Sequence, residues 1–108
     1  METISDLQRS VVDWARAKGW MDREVPVPEQ CALIHSEVSE MLECWRNKEE
    51  IIWHDKNGKM CGIASELADI VIRCCHYAEL NGVDLENAIR EKMFYNWSRE
   101  YRHGGKQG

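Results

Sequence analysis

The chain has 108 residues, 31% of them charged, and a formal net charge of −5. That length suits one domain spanning residues 1–108, and the acidic balance argues against a binder of nucleic-acid polymers, which carries a basic footprint. No apolar run approaches the ~20 residues that a membrane span needs.

Five cysteines, an odd number with no C-x-x-C pair and no recognisable leader before them, fit free thiols in a reducing cytoplasm. The charge is uneven. Residues 90–108 hold five basic groups and two acids, a net of +3, so the first 89 residues carry −8. An acidic body with a basic tail suits metal ions together with a small polyanion. Five tryptophans in a chain this short point to an interface or a ligand pocket as well as a core.

In chain order, the first helix is expected to start with Ser5 as its N-cap, to turn Leu7, Val11, Trp14 and Ala15 inward, and to end at Gly19. A loop over 20–27 follows. The second helix is expected from about Pro28 to Asn47, with a proline suited to its first turn and an apolar stripe of Ile34, Val38, Met41, Leu42 and Trp45. The segment 48–61 is not clearly helical. Ile51-Ile52-Trp53 followed by Asn57-Gly58 reads as a short hairpin or an ordered loop.

A third helix is expected over about 62–80, with Ile63, Leu67, Ile70, Val71, Cys74 and Ala78 recurring at helical spacing and Asn81-Gly82 as the stop. Asp84 then caps a fourth helix reaching about Arg99, with Leu85, Ala88, Ile89 and Met93 inward. The fold class is all-α: four helices with one irregular connection, forming a compact bundle or half of a larger one.

Two carboxylate pairs stand out. Glu37 and Glu40 lie at i, i+3 on the second helix, and Glu66 and Asp69 do so on the third. Each pair therefore projects from one side of its helix, beside an apolar stripe. If the two helices pack together, four carboxylates converge. Such a cluster repels itself unless a cation offsets it, and magnesium prefers oxygen ligands while keeping waters that a phosphate can replace. A di-iron centre would need two Glu-x-x-His pairs on core helices. Ala32 and Arg73 occupy the places where His35 and His76 would need a glutamate, and the one match, Glu100 with His103, lies in the tail. Lys92, Asn96 and Arg99 fall at i, i+4, i+7 on the fourth helix, where two cations can neutralise phosphate oxygens. Arg73, one turn after Asp69, can do the same.

The E-x-x-E pair, the 25-residue gap over 41–65 and the E-x-x-D pair resemble the signature of the MazG-like, all-α nucleoside triphosphate pyrophosphohydrolases. The stretch GIASELADIVIRCCHYAELNGVDLENAIREKMFYN and, after Trp97, SREYRHGGK are similar to that family's second half. The resemblance covers about 28–106, and the first helix more loosely. It implies a bundle completed by a second chain, as a homodimer or homotetramer. It also implies that Glu37, Glu40, Glu66 and Asp69 hold Mg2+, with Mn2+ as a substitute, that Lys92 and Arg99 contact phosphates, and that Asn96 contacts the nucleotide. The implied reaction is hydrolysis of a (deoxy)nucleoside triphosphate to the monophosphate and pyrophosphate. Glu37 or Glu40 would accept the proton of a water attacking the α-phosphorus.

Relatives line the base pocket with aromatics from the early helices and loops. Here Trp14, Trp20, Trp45 and Trp53 are candidates. Trp20 and Trp45 are favoured, because Trp14 sits on the first helix's apolar face. The chain departs from the family at Glu100, where many relatives have proline, and at Arg73, where some have tyrosine. Two other readings compete: a phosphoribosyl-ATP pyrophosphohydrolase-like enzyme, and a non-enzymatic helical dimerisation module whose acidic pairs are solvated.

Overall fold

The computed structural model describes residues 3–19 and 24–99. They form α1 (Ile4–Ala17), α2 (Val27–Arg46), a minimal hairpin of β1 (Trp53–His54) and β2 (Met60–Cys61), α3 (Ile63–Leu80) and α4 (Leu85–Ser98). The described chain is predominantly helical, as its periodicity predicts.

Each boundary has a local cause. α1 begins two residues earlier than expected, with Thr3 as its N-cap. The Thr3 hydroxyl accepts from the Asp6 N–H at 3.1 Å, and Asp6 accepts from the Thr3 N–H at 3.1 Å, a reciprocal capping box. A start at Ser5 would place Gln8 in the box, and Gln8 is buried elsewhere. α2 opens at Pro26–Pro28, where the missing proline N–H leaves no intrahelical bond unmade. Asp84 caps α4 by accepting from the Asn87 N–H at 3.0 Å.

The segment between α2 and α3 is a hairpin. β1 and β2 pair antiparallel, Trp53 with Cys61 and His54 with Met60. Asp55 organises its turn by accepting from the Asn57 and Lys59 N–H groups at 2.8 and 3.0 Å, and Gly58 supplies a left-handed φ of +84°.

α3 is the central helix. It packs against α2 on one side and α1 on another, while α4 rests on α1. The buried apolar residues among those described are small: Val12, Ala15, Cys44, Cys75 and Ala78. Gln8 is buried with them and spends its whole amide. It donates to Glu79 Oε1 at 3.0 Å and to the Val83 carbonyl at 2.7 Å, and it accepts from the Leu85 N–H at 3.3 Å. This ties the α3–α4 turn to α1.

The expected apolar stripes are split by the packing. On α2, Ile34 and Met41 are half-buried, but Val38, Leu42 and Trp45 face solvent, and the buried positions are Glu37 and Cys44. On α3, Cys75 and Ala78 are buried whereas Leu67 and Val71 are exposed. On α4, Leu85 and Ala88 are half-buried and Ile89 and Met93 are exposed. The seam between α2 and α3 is rotated about one residue from the centre of the apolar stripe. It thereby carries a carboxylate inward and leaves apolar side chains outward.

Gly62 connects the hairpin to α3. It lies at φ +95°, ψ −172°, a region open in practice to glycine alone. A Cβ there would stand 2.6 Å from the carbonyl oxygens of both Glu50 and Ile51, and the Ala64 N–H donates to that Ile51 carbonyl at 3.0 Å. Gly62→Ala is expected to lower the melting temperature by roughly 10 °C, from about 1–3 kcal/mol of backbone strain plus the clash. Gly58→Ala, whose Cβ meets nothing within 4 Å, should cost clearly less. Equal losses by thermal melt would show that the close approach at Gly62 does not matter.

Candidate metal centre and its cleft

The packing of α2 on α3 brings together Glu37, Glu40 and Glu66, with one carboxylate oxygen from each lying within 4.8 Å of the others. Glu37 and Glu40 are a turn apart on α2. Glu66 comes from the first turn of α3, placed there by Gly62. Their environments differ. Glu37 is 7% exposed, Glu40 faces solvent, and Glu66 is half-buried.

One cation stands in the group. The Arg73 Nε–H donates to Glu37 Oε2 at 2.7 Å. Burial pushes the Glu37 carboxyl up, but the hydrogen bonds from Arg73 and Glu40 and the guanidinium charge together hold it below its ordinary value. Glu40 moves the opposite way. Hydrogen bonding with Glu37, then with Glu66, and the repulsion of both carboxylates raise it to about 7. Asp69 is raised by burial and by the charge of Glu37, against the pull of Arg73 and Lys59. On the same helix, burial first and the charges of Glu49 and Glu66 next push the Cys44 thiol up.

Glu66 Oε2 is buried and has no hydrogen-bond partner, the only such side-chain atom among the described residues. A bare carboxylate oxygen facing two more carboxylates needs a proton or a cation. Oxygen-only donors from three carboxylates match the taste of magnesium or manganese rather than of zinc or copper. Glu37, Glu40 and Glu66 are the residues that would hold such an ion. Asp69 lies outside that set of three and borders it through Glu37.

A cleft of about 430 Å³ opens beside the cluster, between α1, α2 and α3. Glu37, Asp69 and Arg73 form its charged end. Trp14, Leu33 and Ile72 form its apolar wall, with Gln30, His76 and Tyr77 among them. Burial and then the charge of Arg73 push His76 below its ordinary value.

The predicted site residues are therefore distributed over three places. Glu37, Glu40 and Glu66 converge, and Asp69 joins Glu37 at the cleft. Lys92 and Asn96 stand on exposed α4 and Arg99 caps its C-terminal end, with Lys92 Nζ and Arg99 Cζ 5.8 and 5.7 Å from the centre of the Tyr95 ring. Trp45 is 69% exposed on the outer side of α2, away from the cleft lining. Trp20 falls outside the described residues. The aromatic wall of the cleft is Trp14 instead, half exposed because α1 turns it across the opening. The pairing of Arg73 with Glu37 joins residues 36 positions apart, and no local pattern announces it.

Comparison of the chain with protein-family models, curated proteins and solved structures finds no match.

The carboxylates give the protein a distinctive pH response. Between the ordinary glutamate value of 4.5 and about 7, folded Glu40 keeps a proton that the unfolded chain has released. Stability therefore falls as pH rises through that window. The raised Asp69 adds to the fall. The lowered Glu37 stabilises above its ordinary value and loses that contribution only as pH drops below it. In chelator, the melting temperature is expected to decline from pH 5 to pH 7.5, and Glu40→Gln, which cannot ionise, should flatten most of the slope. The same slope in both proteins would remove Glu40 from the explanation.

Proposed function

We propose that this protein is a magnesium-dependent nucleoside triphosphate pyrophosphohydrolase of the MazG-like kind. It would hydrolyse a (deoxy)nucleoside triphosphate to the monophosphate and pyrophosphate. The observation that carries the reading is the unpartnered, buried Glu66 Oε2 within a three-carboxylate cluster that borders a cleft through Glu37. A structural role would leave those acids solvated or paired with cations one by one.

The cleft suits the rest of a nucleotide. Its volume of about 430 Å³ is in the range of small-molecule pockets. A base can stack on the indole of Trp14, a contact worth ~1–3 kcal/mol that tolerates any base. The triphosphate would then extend toward the carboxylates. A bound magnesium ion, or manganese in its place, would neutralise phosphate charge and acidify water.

The chain's own residues divide the remaining work. Glu37, the most buried of the three acids, would orient the cluster around the ion. Glu40, exposed and bound to no basic side chain among the described ion pairs, is the carboxylate free to take the proton of the water that attacks the α-phosphorus. Lys92 and Arg99 would steady phosphate oxygens, and Asn96 would contact the nucleotide. Free cysteines throughout suit a cytoplasmic enzyme.

We also infer assembly into a homodimer or homotetramer. Val38, Leu42 and Trp45 at i, i+4, i+7 on α2 and Leu67 and Val71 on α3 are exposed. So are Met93, Phe94 and Trp97 on α4, with Trp97 91% exposed. Apolar patches of this extent on a small chain mark an interface. Among the described residues no helix is long and apolar enough to cross a membrane.

A panel of canonical and modified nucleoside triphosphates, with and without magnesium, tests the activity. Magnesium-dependent release of pyrophosphate and monophosphate is expected from one or a few of them. Glu40→Gln should lower kcat by 100-fold or more, within the range for a lost general base. No release from any substrate by folded protein would end the proposal. Light scattering tests the assembly: wild type should run as a dimer or larger, and Leu42→Glu should shift it toward monomer. A monomeric wild type at micromolar concentration would refute it.

A further inference from the structure

The Arg73–Glu37 pair is placed where a metal would compete for the same carboxylate. Glu37 is the most buried of the three acids, yet its Oε2 is held at 2.7 Å by a guanidinium whose side chain is 39% exposed and lines the cleft. Arg73 is thus tethered at one end to the cluster and open at the other to the cavity. Glu40 and Glu66 have no comparable cation within the described residues. One positive charge serves three acids, and it sits on the acid that is least able to reach water.

We propose that Arg73 is the resident counter-ion of the metal-free site. It holds Glu37 inward while no divalent cation is bound. When the cation takes over Glu37, the guanidinium is released into the cleft, toward the place where an anionic ligand would lie. This inference rests on the metal-binding reading above. It adds a device that makes cation binding an exchange of one positive charge for another, rather than the filling of a bare acidic hole.

The exchange has a sign that a merely structural salt bridge lacks. A fixed positive charge beside the site repels a second one and competes for its ligand. Removing Arg73 should therefore weaken the metal-free fold and strengthen cation binding together. A bridge that served only packing would lower stability equally with and without the ion, and would leave the affinity unchanged or weaker.

Manganese supplies the probe, with binding read by calorimetry and thermal melting, and with no nucleotide present. Arg73→Gln is expected to melt lower than wild type in chelator, to bind Mn2+ roughly tenfold more tightly, and to recover to near the wild-type melting temperature at saturating Mn2+. Arg73→Lys, which keeps the charge without the directed Nε–H, should fall between the two and keeps the test alive if the glutamine variant does not fold in chelator. Equal or weaker Mn2+ binding by both variants, or a stability deficit that Mn2+ does not narrow, overturns the proposal while leaving the metal reading of the site intact. Absence of Mn2+ binding in wild type and variants alike overturns both.

Discussion

Three carboxylates share one small space between α2 and α3, and most of what is unusual about this protein follows from how their charge is managed. Like charges within a few ångströms of one another repel strongly wherever water screens them only in part. Glu37, Glu40 and Glu66 lie within such distances, so all three cannot be ionised without compensation. The metal-free protein uses two compensations. Arg73 neutralises Glu37, and Glu40 keeps a proton to about pH 7. Glu66 also hydrogen-bonds with Glu40, but its buried Oε2 has no partner of its own among the described residues. A bound cation would answer all three needs at once, and this is why the cluster reads as a site rather than as a packing accident.

The same seam explains the modest core. Because a carboxylate and a thiol occupy the buried face of α2, Val38, Leu42 and Trp45 are displaced to its outer side. The buried apolar residues that remain are small, and a buried amide, Gln8, holds the α3–α4 turn in place through three hydrogen bonds. Apolar burial is roughly proportional to the area removed from water, so the exposed stripes are stabilisation left unused in one chain. Assembly would recover it. The inward carboxylate and the outward apolar side chains are then two consequences of one rotation of α2 against α3.

The irregular segment matters for the same reason. The hairpin ends at Gly62, which lets the backbone of Glu50 and Ile51 approach to a distance that no side chain permits. That approach fixes where α3 begins, and Glu66 sits in its first turn. A loop that looks incidental in sequence thus positions one of the three acids.

What the sequence determined by itself was whatever depends on near neighbours along the chain. Helix periodicity, the Asp84 cap, the Asn81-Gly82 stop and the turn at Asn57-Gly58 are local, and all lie within a residue or two of where they were expected. The i, i+3 spacing likewise placed Glu37 with Glu40 on one side of α2. Tertiary structure decided the rest, because it depends on how one helix is rotated against another. Rotation chose Glu37 and Cys44 over Val38 and Leu42 for burial, gathered Glu66 but not Asp69 into the cluster, and put Trp14 rather than Trp45 on the cleft. It also joined Arg73 to Glu37 across 36 residues. A helix shows in its sequence which residues share a face. Which edge of that face meets a neighbour is settled only by the competition between apolar burial and the pairing of charges in the assembled fold.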